Sequence, residues 1–193
     1  MKETLSILAG VIFLLAYIPY IRAILRKETK PAKASWLIWA SLDTIALVGL
    51  VVKHAVNSQI IAAVCGAWIV VILSLIYGKS GWSWLDKLCL VVAVFGIMLW
   101  QLFHDPIFGI VISMIVHVLG SIPTFISAWQ DPSREDKLAW TLFWISCVLT
   151  VLIIPAWTLV DTIQPFAFLF VESVMVYIVF VRPLMLAKHT HRT

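Results

Sequence analysis

Seven apolar runs, each about as long as a bilayer crossing, dominate this sequence. They cover about residues 5–24, 34–52, 59–77, 86–103, 107–127, 138–156 and 164–184. A helix of about 20 residues spans the roughly 30 Å hydrocarbon layer. Inside lipid every backbone N–H and C=O must find a partner within the protein, which leaves helices or closed barrels. Membrane strands need only about 9–11 residues and alternate in polarity. These runs are longer and do not alternate. The expected fold is therefore an all-α integral membrane protein with seven transmembrane helices. Of 193 residues, 62% are hydrophobic and 12% charged, and the mean hydropathy is +1.02. A soluble domain carries about 25% charged residues. The composition excludes a disordered chain and argues against a water-soluble enzyme. The loops are short, so any activity lies within or across the bilayer. The run from Leu5 to Tyr20 resembles a signal peptide, but no small-residue cleavage site follows, and it is read as a retained helix.

The net charge is +4. Seven crossings put the two termini on opposite sides. Twelve of the 14 Lys and Arg then fall on one side, and only Lys2 and Lys53 on the other. The basic side is read as the cytoplasm, which makes a multi-pass protein with its N-terminus outside and its C-terminus cytoplasmic. The charge is thus a topology signal, and no nucleic-acid partner is expected. Trp36, Trp82, Trp84, Trp129 and Trp140 would form an interfacial belt on the basic side, with Trp100 and Trp157 near the other. Cys65, Cys89 and Cys147 match no CxxC or metal spacing and read as packing residues. The tail residues His189, His191 and Arg192 read as a frayed end rather than a metal site. No metal and no cofactor is expected. Ser133 to Asp136 looks like a capping box for the sixth run.

Shifting the chain by 104 residues aligns Leu15 with Leu119, Ile18 with Ile122 and Pro19 with Pro123. The same ungapped shift aligns Lys33 with Lys137 and Trp36 with Trp140. Coincident Pro and Trp are less easily met by chance than coincident Leu or Val, so the pattern reads as an internal repeat. Segments one to three form one unit and five to seven the other. Three is odd, so the fourth segment is needed to restore direction. The two units are then parallel, related by a pseudo-two-fold axis along the membrane normal. The expected organisation is a three-helix unit over residues 1–80, a linker helix over 81–105, and a second three-helix unit with a short cytoplasmic tail over 106–193.

This three-plus-one-plus-three layout, with a proline late in the first and fifth helices, resembles the PQ-loop and SWEET-like superfamily of membrane transporters. Tyr20 and Thr124 stand where the Gln of the PQ motif would follow Pro19 and Pro123. The resemblance implies sugar, amino-acid or vitamin transport, or ligand sorting by a receptor on the same scaffold. It also implies that Pro19 and Pro123 are hinges. Proline removes a backbone hydrogen bond and kinks a helix, which agrees with that role.

Ionisable groups near mid-bilayer cost at least about 2.5–3.5 kcal/mol each and are functional candidates by default. Asp43, His117 and Glu172 sit near the middle of segments two, five and seven. Trp68 occupies the middle of segment three, and Ser113 lies one turn from His117. These five are the expected substrate- and proton-binding residues. Carboxyl and imidazole groups suit proton coupling, and Trp68 suits stacking or cation–π contact. Trp39 and Trp144 are further candidates. The expected function is alternating-access transport of a small polar solute, with H+ as a second partner. The alternative is a receptor or sorting protein that binds without net transport. No GxSxG, HExxH or nucleotide loop occurs, so an enzyme is not expected. Ala62-x-x-x-Gly66 permits close helix approach, within one chain or in a homo-oligomer.

Overall fold

The computed structural model describes residues 2–78 and 83–190. Of the sequence expectations, Trp82, His191 and Arg192 and the side chains of Trp100 and His189 lie outside the described residues. Eight α-helices follow one another: α1 (Lys2–Leu25), α2 (Lys33–Val52), α3 (Ser58–Tyr77), α4 (Trp84–Phe103), α5 (Pro106–Gly120), α6 (Ile122–Gln130), α7 (Lys137–Leu152) and α8 (Leu159–Thr190). A short 3-10 turn, Pro132–Arg134, lies between α6 and α7. There is no strand among the described residues. Among the described residues, five spans are long and apolar enough to cross a membrane: α1, α2, α3, α5 together with α6, and α8 up to Leu186. The chain is therefore an all-helical protein of the kind that fits a multi-pass membrane setting.

Helix ends are set by local chemistry. Asn57, Asp105 and Asp136 each accept a backbone N–H from the first turn they precede, at 3.0, 2.8 and 2.7 Å. Asp136, not Ser133, is thus the cap of α7. The expected capping box does not form, because Ser133 is held in the 3-10 turn by Asp131. Helices α1 and α2 end on Lys27 and His54 in the left-handed region, with φ of 61° and 53°. The N–H groups of Glu28 and Ala55 reach back to the carbonyls of Ala23 and Leu50, closing a Schellman turn at each end.

The two central prolines act differently. Helix α1 runs through Pro19 without interruption. The fifth run instead divides at Ser121, just before Pro123, into α5 and α6. Proline is at home in a first turn, where its missing N–H has no partner to lose.

Packing follows a simple scheme. Helices α1 and α2 both pack on α3, and α5 and α7 both pack on α8. Between the halves, α1 packs on α7 and α2 on α5. Exchanging α1, α2 and α3 for α5, α7 and α8 leaves these main contacts unchanged. Helix α4 lies to the side, against α2 and α5.

Close approach of α1 to α3 depends on Gly66. A Cβ there would lie 2.0–2.3 Å from the Tyr17 ring. That ring is pinned by its hydroxyl, which donates to the Ala63 carbonyl at 3.0 Å, and by edge contact with Phe143. The Ala62–Gly66 pattern is therefore used within one chain. Gly66→Ala should destabilise the protein, since overpacking costs about 1–3 kcal/mol and the helix-propensity gain returns at most about 1 kcal/mol. Denaturant unfolding in detergent measures the loss.

Candidate functional site

Asp43 from α2, His117 from α5 and Glu172 from α8 line one cavity. It is small, about 30 Å³, which is room for roughly one water molecule. The Asp43 carboxyl is 2.8 Å from His117 Nδ1. Both side chains are almost fully buried. The imidazole is sandwiched between two rings, Phe168 at 4.6 Å and Trp39 at 5.7 Å between centroids. Trp39 Nε1 donates to the His117 carbonyl and to Ser121 Oγ, so the stack is tied at its back to the break between α5 and α6. Glu172 is 8% exposed. Its Oε2 is buried without a hydrogen-bond partner.

Aromatic side chains make most of the rest of the wall, with Ala63, Ala67 and Val171. Phe13 and Tyr17 come from α1, Trp36 and Trp39 from α2, Trp140 and Phe143 from α7, and Phe168 from α8. Phe13 and Phe143 lie 4.7 Å apart between centroids, and Tyr17 and Phe143 4.9 Å. Such tilted and edge contacts suit the aromatic quadrupole.

Hydrogen-bonded side chains close both ends of this chamber. At one end, Asn57 donates to Gln164, Gln164 to Gln59, and Gln59 to Ser146, at 2.7, 3.2 and 3.1 Å. Ser146 Oγ in turn donates to the Ala9 carbonyl at 2.7 Å. This chain ties α1 and α3 to α7 and α8. At the other end, Trp36 Nε1 donates to the Tyr20 hydroxyl at 3.3 Å, and Trp140 Nε1 to Glu135 Oε2 at 2.9 Å. The Tyr20 hydroxyl is 3.5 Å from the same carboxylate oxygen. Tyr20 belongs to α1 and Glu135 to the loop before α7, so this clasp also joins the halves.

Glu135 is a carboxyl in a loop, yet only 7% exposed. Burial pushes it up to about 7, against the two hydrogen bonds that favour its ionised form. Beyond it opens a cleft of about 580 Å³ lined by Glu28, Asp131, Asp136 and Lys137 among others.

Three of the five expected binding residues thus share a cavity, and two do not line it. Trp68 faces outward, 41% exposed, with its indole N–H on Thr44 Oγ1 at 3.1 Å. Ser113 is buried one turn from His117 but does not reach the cavity wall. Trp144 donates to Ser173 Oγ, also away from the cavity. Two of the expected interfacial tryptophans are corrected: Trp36 and Trp140 are 3% and 1% exposed and line the chamber. Trp84, Trp129 and Trp157 do lie at the surface. The pairing of Trp36 with Trp140 under the 104-residue shift was the available signal for the corrected pair. Nothing comparable marks Glu135, which sits between charged residues in a polar loop. Among the described residues, no three His, Cys, Asp or Glu side chains cluster to hold a metal ion.

Comparison of the chain with protein-family models, with curated proteins and with solved structures gave no significant match.

Proposed function

We propose that the protein is a membrane transporter of a small polar solute that works by alternating access around the Asp43–His117–Glu172 cavity, with proton coupling. The observation that carries this reading is a buried, ionisable chamber closed at both ends by side-chain hydrogen bonds that join one half of the chain to the other. A packing protein gains nothing from an unpartnered carboxyl at that depth, where it is costly. A transporter needs a polar site, two closures and elements that part alternately.

The architecture that goes with this function is seven crossings, as two parallel three-helix units joined by α4. The packing scheme supports it, since it is unchanged when one triplet is exchanged for the other. So does the 104-residue repeat. The asymmetry of Lys and Arg puts the N-terminus outside, which makes the Tyr20–Glu135 clasp the cytoplasmic closure and the Asn57–Gln164 chain the outer one. Pro19 and Pro123 are the proposed bending points. This layout resembles that of the PQ-loop and SWEET-like group.

The test is solute flux in proteoliposomes with and without a pH gradient. A gradient should drive accumulation by the unaltered protein. Asp43→Asn and Glu172→Gln should abolish it or make it insensitive to pH while the protein remains monodisperse. Solute binding without flux under any gradient would instead favour a receptor.

A further inference from the structure

The polar atoms of the chamber are unequally spent. The indole N–H groups of Trp36, Trp39 and Trp140 donate to Tyr20, His117 and Glu135. The Tyr17 hydroxyl donates to the Ala63 carbonyl. His117 Nδ1 faces Asp43 at 2.8 Å. Left without a partner are an acceptor, Glu172 Oε2, and the second ring nitrogen of His117, whose Nδ1 alone is engaged. A polyhydroxyl solute needs several donors and acceptors from its site, and at most one donor is left here. The ligand that fits must bring its own donor.

It must also bring positive charge. The titratable groups around Glu172 are Tyr17 on α1, Asp43 on α2, His117 on α5 and Cys147 on α7. Of these only His117 can become a cation, and it is engaged by Asp43. No Lys or Arg lines the cavity among the described residues. Two carboxyls therefore share one imidazole, and the chamber is one positive charge short. An ionised carboxyl out of water needs a positive charge in contact with it. The wall is otherwise largely aromatic, with Trp39, Phe168 and Phe143 among its residues, and aromatic rings attract cations.

We propose that the chamber binds a small organic cation, carrying an ammonium or guanidinium group, and that this cation and a proton compete for the Glu172 carboxyl. The binding claim stands on the lining of the chamber, which has room for about one water in its closed form and must widen to admit a cation. Its consequence, exchange of cation for proton across the membrane, rests on the transport reading above. The only covalent change in the exchange is the transfer of one proton between the carboxyl and water. As the cation arrives, the carboxyl O–H breaks, its electron pair stays on Glu172, and the proton leaves to water. A proton returning from the other side releases the cation.

The experiment uses the purified full chain in detergent, titrated with methylammonium, choline and arginine, and with two uncharged probes, dimethylbutanol (the carbon isostere of choline) and glucose. At least one cation should bind and raise the unfolding midpoint, while dimethylbutanol and glucose should not. Calorimetry in two buffers of different ionisation heat should count about one proton released per cation bound, at a pH where Glu172 holds its proton. Glu172→Gln should weaken the cation by about thirtyfold or more and remove the proton release. If that variant does not fold, the proton count and the choline–isostere comparison in the unaltered protein decide. The proposal is overturned if no cation binds, if the isostere binds as well as choline, or if binding releases no proton. Cation binding without cation flux in proteoliposomes would sink the transport reading and leave the site standing. Glucose flux with no cation binding would do the reverse.

Discussion

His117→Phe should cost about 1–3 kcal/mol of stability, the range expected when a buried polar group is left without its hydrogen-bond partner. Phenylalanine keeps a ring between Trp39 and Phe168, so the stack survives. What it deletes is the nitrogen 2.8 Å from Asp43, leaving that carboxyl buried among helices with nothing to answer it. Asp43→Asn makes the opposite cut. The amide still reaches the imidazole, so the loss should be about 1 kcal/mol, the worth of a neutral hydrogen bond. The double variant Asp43→Leu with His117→Phe removes both polar groups together. It should recover most of the stability lost in His117→Phe, because apolar replacement of a buried pair is often neutral or better. Unfolding of all three in detergent gives the comparison. A loss in His117→Phe no larger than that in Asp43→Asn would mean that the Asp43 carboxyl does not depend on the imidazole for its partner.

The double variant also separates two reasons for keeping such a pair. If it folds as stably as the unaltered protein but no longer binds or moves solute, the pair serves the chamber and not the fold. That outcome is expected, since the contacts of the aromatic wall do not pass through Asp43. Phe13, Tyr17 and Phe143 pack on one another on the α1–α7 side.

The run lengths in the sequence anticipated where helices lie, because lipid allows few alternatives for so many unpaired backbone groups. They did not anticipate which way side chains face. A helix that is apolar all round carries no stripe to mark its inner side. In the sequence Trp68 ranks ahead of Trp39 as a binding residue for that reason, yet Trp39 stacks on His117 and Trp68 faces outward. The charged residues were easier, because lipid excludes them on energetic grounds and forces them inward. Asp43, His117 and Glu172 could therefore be placed in the interior from their depth alone. The ends of helices were less legible. The break at Ser121 follows from Pro123, but Pro19 at the matching position breaks nothing. Local sequence gives the same residue, and the surrounding contacts decide. Glu135 was hidden by its neighbours. Between Arg134 and Asp136 it has the composition of a solvated loop, and only tertiary packing under Tyr20 and Trp140 removes it from water.

That burial makes a pH effect on the fold. Glu135 is pushed from its ordinary value of 4.5 to about 7, chiefly by loss of water. The indole of Trp140 and the hydroxyl of Tyr20 pull it down, and neighbouring Asp136 pushes it up. A carboxyl whose folded value is raised binds its proton more tightly in the folded state. Its favourable contribution is therefore complete below about pH 4.5, and it is lost as the pH rises through about 7. The span corresponds to about 3 kcal/mol. Glutamine has nearly the same shape as the neutral carboxyl but cannot ionise. Glu135→Gln should match the unaltered protein near pH 4 and exceed its stability by up to about 3 kcal/mol at pH 8. The difference between the two proteins isolates this one group from Glu28, Asp131, Asp136 and Lys137 in the adjoining cleft, which are present in both. Parallel stability profiles from pH 5 to 8 would show that Glu135 meets water freely. The clasp matters beyond stability, since it closes the chamber at that end. Ionising Glu135 raises the free energy of the closed form, so solvent access to the chamber from the clasp side should increase with pH in the unaltered protein and lose that dependence in Glu135→Gln. Labelling of a cysteine placed at Ala23, on the cleft side of the clasp, would not register this opening. One placed at Ala67, on the cavity side, would, and its labelling rate should rise across the same pH interval.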